Sequence, residues 1–196
     1  MLSTRNSRRP GWDAAGRFVP FLLVAALALP LLHPAAVQAA TAAEIRRDAN
    51  AALTNLYAGT PKAKELAANA KGILVFPSVV KAGFLVGGLF GEGVLFKGGK
   101  AVAYYNTVAG SYGLQAGVQK YGYAMFLMND AALQYLDKSD GWELGTGPSI
   151  VVVDQGAAGS LSTSTARSDV YAFIFDQKGL MAGLGLQGTK ITKIEK

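Results

Sequence analysis

The side chains of this sequence that could take part in chemistry are carboxylates, hydroxyls, lysines and tyrosines. The chain has no cysteine, and its one histidine, His33, lies in an N-terminal segment that we expect to be removed. Without histidine or cysteine, a protein cannot build a Ser-His-Asp or Cys-His nucleophile, a histidine-based zinc site or a thiolate cluster. The composition therefore excludes the commonest hydrolase and zinc chemistries, and we predict no metal and no cofactor.

Glu92 is the carboxylate that is hardest to explain as a helix cap or a turn residue, because it stands between two glycines in an apolar segment. A buried carboxylate needs a cationic partner, and Lys81 and Arg167 are the two that we suggest. A functional acid and a structural ion pair both remain open at this position, since structural pairs perturb buried acids just as functional sites do.

Two other motifs resemble parts of known functional sites but lack the residues that those sites require. The glycine-rich segment 87–93 lacks the Gly-Lys-Ser/Thr ending of a P-loop and the strand-to-helix setting of a dinucleotide site. The hydroxyl cluster at 160–168 has no Ser-x-x-Lys spacing for a serine–lysine nucleophile. We interpret the cluster as a polar loop or edge strand.

Five basic residues accompany the first two predicted helices, and we take them as candidate contacts for anionic phospholipid headgroups. The apolar stripe between them predicts either a helix face that lies on a bilayer or one that packs on the sheet, and the residues alone favour packing. Basic residues elsewhere do not form a run, so we predict no nucleic-acid binding. The five candidates are Arg46, Arg47, Lys62, Lys64 and Lys71.

Local signals predict the elements. Thr41 with Glu44 is a capping-box pattern for a helix over 41–58, and Pro61 suits the first turn of a second helix through about residue 70. A third helix is predicted from Asp130, as N-cap, to Leu136. From Gly72 onward, roughly eight to ten short strands are predicted, with Pro77 ending one, Gly98-Gly99 forming a hairpin turn and Asp176–Gly179 forming another.

The repeated glycines predict a tightly curved sheet. We therefore predict an α+β fold, in which two N-terminal helices pack on a Gly-rich, strongly curved, mainly antiparallel β-sheet or flattened barrel, with one further short helix.

Residues 1–39 have the layout of a Sec-type signal peptide, with an arginine-rich start, an apolar run from Phe18 to Leu32, and Val37 and Ala39 at the −3 and −1 positions of a cut before Ala40. An uncleaved anchor is the alternative. The chain has 19 Lys and Arg against 13 Asp and Glu, and after four arginines and one aspartate of the leader are removed, 15 and 12 remain. We expect a mildly cationic, periplasmic or secreted single domain over 40–196, peripheral to a membrane and, without cysteine, not a lipoprotein.

Ordered sequence blocks from Ala70 to the end resemble the SYLF domain family. That resemblance implies phospholipid binding without established catalysis. Some eukaryotic relatives also bind actin or phosphoinositides and carry SH3 or FYVE domains, which are absent from this sequence, so we do not carry those properties over. The blocks are 70–77, 87–95, 104–106, 113–117, 139–143, 171–173, 177–183 and 188–191.

We therefore predict a non-enzymatic domain that binds phospholipid at a membrane surface in the cell envelope. The alternative is a structural envelope protein that acts through protein contacts, and its protein partner is unknown.

Overall fold

The computed structural model describes residues 39–138, 141–153, 168–179, 186 and 188–196, with only the backbone at strand positions 85 and 111–116. The predicted leader up to residue 38, Arg167 and most of the hydroxyl cluster lie outside the described residues.

The first two helices begin and end within one residue of the positions that local sequence signals predict. Helix α1 spans Ala42–Gly59, and its capping box is complete, because Thr41 N donates to Glu44 Oε2 at 2.8 Å and Glu44 N donates to Thr41 Oγ1 at 3.3 Å. Hydrogen bonds from the Thr41 backbone and side chain lower the pKa of Glu44. Helix α2 spans Pro61–Asn69 and starts with its proline in the first turn, where no N–H is needed.

The third helix, α3, spans Asp130–Leu136, but its N-cap is Asn129 and not Asp130. Asn129 has an extended backbone, and its side-chain oxygen accepts from Ala132 N at 2.9 Å. Asp130 lies inside the first turn, where a negative charge is favourable near the positive end of the helix. Our prediction was therefore displaced by one residue, because both side-chain types are good caps.

Two long strands form the centre of the sheet. Strand β1 spans Gly72–Lys97 and strand β2 spans Lys100–Leu127, and they pair antiparallel from end to end around the predicted Gly98-Gly99 turn. Both turn glycines have positive φ, at 56° and 76°. The prediction of many short strands was wrong here. Pro77 does not end a strand, because the register shifts between Phe76 and Val79, and such a bulge accommodates a residue without an N–H.

The described sheet has six strands in the order β3-β6-β2-β5-β4, with β1 on the remaining side of β2. Strand β2 pairs with β6 through 104–108 and with β5 through 119–127. The β4–β5 pair is parallel, and the other pairs are antiparallel. The predicted α+β fold, with N-terminal helices before a curled sheet, is confirmed. The last four strands are β3 (Trp142–Glu143), β4 (Ile150–Val153), β5 (Val170–Gly179) and β6 (Lys190–Ile194).

The predicted turn at Asp176–Gly179 is instead part of β5. Gly179 pairs with Gln119 and Lys178 pairs with Lys120, so the strand continues through the segment. Asp176 has φ of 53°, and the register shifts between Lys120 and Gly122. One left-handed residue with a register shift produces a bulge, whereas reversal of the chain needs a full turn.

Each face of the sheet carries its own apolar core. On one face, the stripe of α1 that includes Ile45 and Leu53 packs with α2 against sheet residues such as Val94 and Phe126. On the other face, residues such as Trp142 and Leu136 cover the opposite side chains of β1 and β2. The apolar stripe of α1 is therefore buried against the sheet, as the packing alternative predicted.

Gly93 shows why the central strands need glycine. A Cβ at this position would lie 2.5 Å from the backbone oxygen of Val75 and 2.6 Å from the Phe76 ring. We expect Gly93→Ala to lower the free energy of unfolding by about 1–3 kcal/mol, the usual effect of overpacking. Gly88→Ala is the control, because the nearest atom there is 3.8 Å away, and its effect should stay within about 0.5 kcal/mol. Equal urea midpoints for the two variants would contradict this account.

Asp169 connects α3 to the start of β4. Its carboxylate accepts from Asn129 Nδ2 at 2.6 Å and from the backbone N and Oγ of Ser149, each at 2.8 Å. The Ser149 backbone bond, with bonds from both side chains, lowers the pKa of Asp169.

A carboxylate whose folded pKa is lowered stabilises the fold above its unfolded pKa, near 3.9, and loses that effect as the pH falls through the folded value. We expect Asp169→Asn to lower the urea midpoint at pH 7 and to converge with the parent protein below about pH 4. Glu195→Gln, at an exposed glutamate just after β6, controls for loss of charge. A deficit that does not change with pH would show that the ionised carboxylate is not responsible.

Candidate functional site

The five basic residues predicted from the sequence are spread over the helical layer. Arg47 pairs with Asp48 at 2.9 Å and Lys62 pairs with Glu65 at 2.8 Å, and exposed pairs of this kind contribute little to stability. Arg46 lies about 20 Å along the α1 axis from the start of α2, at 1.5 Å per residue. Lys64 and Lys71 are exposed within and after α2. The structure therefore does not gather the five into one cluster.

Glu92 forms an ion pair with Lys196, whose Nζ lies 2.8 Å from Glu92 Oε1. Both side chains are largely buried, at 14% and 11% exposure. Of the partners suggested from the sequence, Arg167 lies outside the described residues, and the ion pair of Glu92 is made with Lys196 instead of Lys81. Because the two paired residues are far apart in the sequence, no local pattern could have joined them.

Large apolar side chains are exposed on the middle of the β1–β2 pair, a set that we name the ribbon patch. The most exposed are Phe84 at 73%, Val86 at 62% and Phe90 at 53%. Contiguous exposed apolar surface in a folded protein typically marks contact with a membrane or a partner. The full set is Val80, Phe84, Val86, Phe90, Val108 and Val118.

A sharp bend in β1 helps to expose the ribbon patch. A Cβ on Gly83 would lie only 2.5 Å from the Cα of Gly87, although residues four apart in an extended strand are about 13 Å apart. The register between β1 and β2 also shifts at this point, between Gly83 and Leu85. Glycine permits the close approach, and the exposed side chains of Phe84 and Val86 lie within the bend.

Lysines flank the ribbon patch in two cross-strand rows. In one row, Val80 on β1 lies opposite Lys120 on β2, which lies opposite Lys178 on β5. In the other, Phe90 lies opposite Val108, and Val108 lies opposite Lys190 on β6. Residues directly opposite in antiparallel strands share a face of the sheet, so exposed lysines adjoin exposed apolar side chains.

Lys120 and Lys178 are direct cross-strand partners, and like charges at such positions are unfavourable. Within the described part of the chain, neither lysine makes an ion pair. Beside them, an open groove of about 580 Å³ runs between α1 and the part of the β1–β2 pair around Pro77 and Tyr121. The groove also contains Asp48 and Asp176. An anionic group bound at the lysine pair would relieve the repulsion.

The tyrosines Tyr105, Tyr121 and Tyr123 are buried in the core. Burial raises the pKa of Tyr105 and of Tyr121 to about 12. Burial also raises the pKa of Tyr123, whose hydroxyl bonds to Thr107 Oγ1 at 2.8 Å inside the core. These phenols stay protonated and serve packing. Among the described residues, no group of three or more His, Cys, Asp or Glu side chains is arranged to hold a metal ion.

The C-terminal part of the chain matches the model of a known protein family. Residues 108–196 match the family model described as Ysc84, Las17-binding protein actin regulator. The match covers less than half of the chain, and over residues 108–196 it agrees with a resemblance to the SYLF domain family. No curated protein matches the chain.

The SYLF match covers part of the candidate surface. It contains the lysines Lys120, Lys178 and Lys190 together with Val108 and Val118, whereas α1, α2 and β1 lie before it. The family resemblance that the sequence suggested is therefore confirmed over residues 108–196.

Sequence reasoning missed the ribbon patch. Its only sequence signal is the placement of phenylalanines among glycines, at Phe84 and Phe90, in a segment with few polar residues. Such a segment is typical of a buried strand, and its exposure depends on where α1 and the neighbouring strands end.

The lysine pair generates a stability prediction. Lys178→Glu replaces a cross-strand repulsion by an attraction, so we expect the variant to gain about 0.2–1 kcal/mol of unfolding free energy at low salt. The gain should shrink as salt screens the pair. Lys64→Glu is the matched control, because Lys64 is exposed on α2, lies opposite no other lysine and has no charged residue three or four positions away. A similar gain in both variants would attribute the effect to net charge instead of the pair.

Proposed function

We propose that this domain is a non-enzymatic, peripheral protein of the cell envelope that binds the surface of anionic phospholipid membranes. The observation that carries this proposal is the ribbon patch, with exposed Phe84 and Phe90, and the lysines that adjoin it at both ends. Apolar side chains beside cationic ones are the combination that peripheral membrane binding requires.

The two kinds of side chain have distinct roles in this proposal. The exposed phenylalanines and valines enter the boundary between headgroups and acyl chains, where each leaves water. Lysines in the flanking rows meet the phosphate groups, and each basic residue near an anionic surface adds about 1 kcal/mol. Lys120 and Lys178 suit a phosphate especially well, because one anion between them removes their mutual repulsion.

The basic residues of the helices are a second, electrostatic contribution in this proposal. Arg46, Lys64 and Lys71 are exposed, but the apolar stripe of α1 packs on the sheet and does not accompany them into the lipid. They attract the domain to an anionic surface and do not insert. The ribbon patch is therefore the better candidate for contact with acyl chains.

The proposed envelope location rests on the leader pattern of residues 1–39. In the described part of the chain, none of the helices is both apolar enough and long enough to cross a membrane.

A second candidate function is a structural role in the envelope through protein contacts, for which the exposed ribbon patch is also suitable. The family description names Las17 binding and actin regulation, so a protein ligand is a reasonable comparison. The two functions differ in their requirement for lipid. Capture of a stoichiometric partner without lipid, together with no binding to vesicles, would favour the protein-contact function.

Vesicle co-sedimentation of the leaderless protein tests the apolar contact. We expect Phe84→Ser and Val86→Ser each to weaken binding to phosphatidylglycerol-containing vesicles by about tenfold, a loss of roughly 1.4 kcal/mol, comparable with burial of one such side chain. Val102→Ser is the matched control, because Val102 is 51% exposed and lies outside the ribbon patch. Equal binding by Val86→Ser and Val102→Ser would rule out insertion of the ribbon patch.

Charge reversal separates the two basic surfaces in the same assay. The double variant Lys120→Glu and Lys178→Glu should abolish most binding at low salt, and the parent protein should lose affinity as salt rises. Reversal of Arg46 and Lys64 should have a smaller effect. If the helix variant loses more binding than the strand variant, the headgroup contact lies on the helices.

A further inference from the structure

Four groups close a ring where α1 meets the sheet. The backbone N of Ala40 donates to Glu92 Oε2 at 3.2 Å, and Glu92 Oε1 pairs with Lys196 Nζ at 2.8 Å. The same Lys196 Nζ donates to the backbone O of Ala40 at 2.8 Å. Ala40 also packs against the core on the helix-covered face. The ring therefore joins the residue before the cap of α1 to the last quarter of β1 and to the end of the described chain.

The position of Ala40 gives this ring a chemical consequence. The sequence predicts that a leader is cut between Ala39 and Ala40. Hydrolysis of that peptide bond consumes one water, leaving a carboxyl group on Ala39 and an amino group on Ala40. An α-amino group has a pKa near 7.7–8.0, so at neutral pH the nitrogen that faces Glu92 changes from a neutral amide to an ammonium.

An ammonium at this point needs a carboxylate. The N-terminus of a helix carries partial positive charge, so a cation just before α1 is unfavourable unless an anion lies beside it. The Glu44 carboxylate is already bonded to the Thr41 N–H and hydroxyl. Glu92 is the carboxylate that contacts the Ala40 nitrogen, and a charge-assisted hydrogen bond is about twice as strong as a neutral one.

The cut site is compatible with this order of events. Ala39 is exposed, whereas Ala40 is half-buried in the ring. The bond to be cut thus lies at the boundary between exposed chain and packed domain. The ring holds the residue immediately after the cut.

We propose that removal of the leader creates an ion pair between the new amino group of Ala40 and Glu92, and that this pair stabilises the mature fold. The segment 40–196 is then more stable after cleavage than while it carries a neutral amide at Ala40. Glu92 acts as the acceptor for the mature N-terminus and Lys196 balances its second oxygen. This inference stands independently of membrane binding.

The experiment compares the domain starting at Ala40 with a free amine and with an acetylated amine. Acetylation keeps the N–H and imitates the carbonyl of Ala39 while removing the charge. We expect the free-amine form to melt about 2–4 °C higher, a shift typical of one favourable interaction in a domain of this size. The difference should disappear in Glu92→Gln and persist in the control Glu143→Gln, an exposed glutamate on β3.

Equal melting temperatures of the two forms in the parent sequence would overturn the proposal, as would an undiminished difference in Glu92→Gln. Should Glu92→Gln fail to fold, Lys196→Met gives the second test. That variant leaves the Ala40 ammonium as the cation beside Glu92 in the ring, so the free-amine advantage should be kept or enlarged. Loss of the advantage in Lys196→Met would also overturn the proposal.

Discussion

The antiparallel pairing of β1 with β2 is the constraint on which the other features depend. It runs from Gly72 opposite Leu127 to Lys97 opposite Lys100, and both β5 and β6 attach to the outer edge of β2. A two-stranded ribbon alone is only marginally stable in water. The pair is therefore stabilised by what covers it, and each stretch of its length is buried or exposed according to whether a helix or strand lies against it.

Irregularities within the β1–β2 pair allow its two faces to pack into two separate apolar cores. Three irregularities interrupt β1, namely the bulge after Phe76, the sharp bend at Gly83–Gly87 and the close approach at Gly93. At each of these points, a regular strand would either run straight or clash with other atoms. Bulges and glycines change the twist and direction of a strand without breaking its pairing. The curled sheet thereby packs helices on one face and Trp142 with α3 on the other.

Much of the helical layer could be predicted from the sequence, because its signals act within one turn. The Thr41–Glu44 capping box and Pro61 are examples. The lengths of the strands could not be predicted in this way. A residue such as Pro77 or Asp176 can either end a strand or form a bulge, and the pairing with the partner strand decides which. The partner of Glu92 and the exposure of Phe90 were equally hidden, because both are set by tertiary packing. The family resemblance compensated for this only at the level of fold and domain type.

The start of α1 determines where the exposed surface begins. Along β1, Val94 and Glu92 are two residues apart, so their side chains lie on the same face, which is the one that the helices cover. Val94 is fully buried in that core. Glu92 meets Ala40, the last residue before the cap of α1. Phe90 is the next side chain on this face, in unbroken register, and it is exposed because the described helix does not reach it. The ion pair that holds the start of α1 thus also fixes one boundary of the ribbon patch, so that a single carboxylate links the stability of the domain to the extent of its proposed membrane surface.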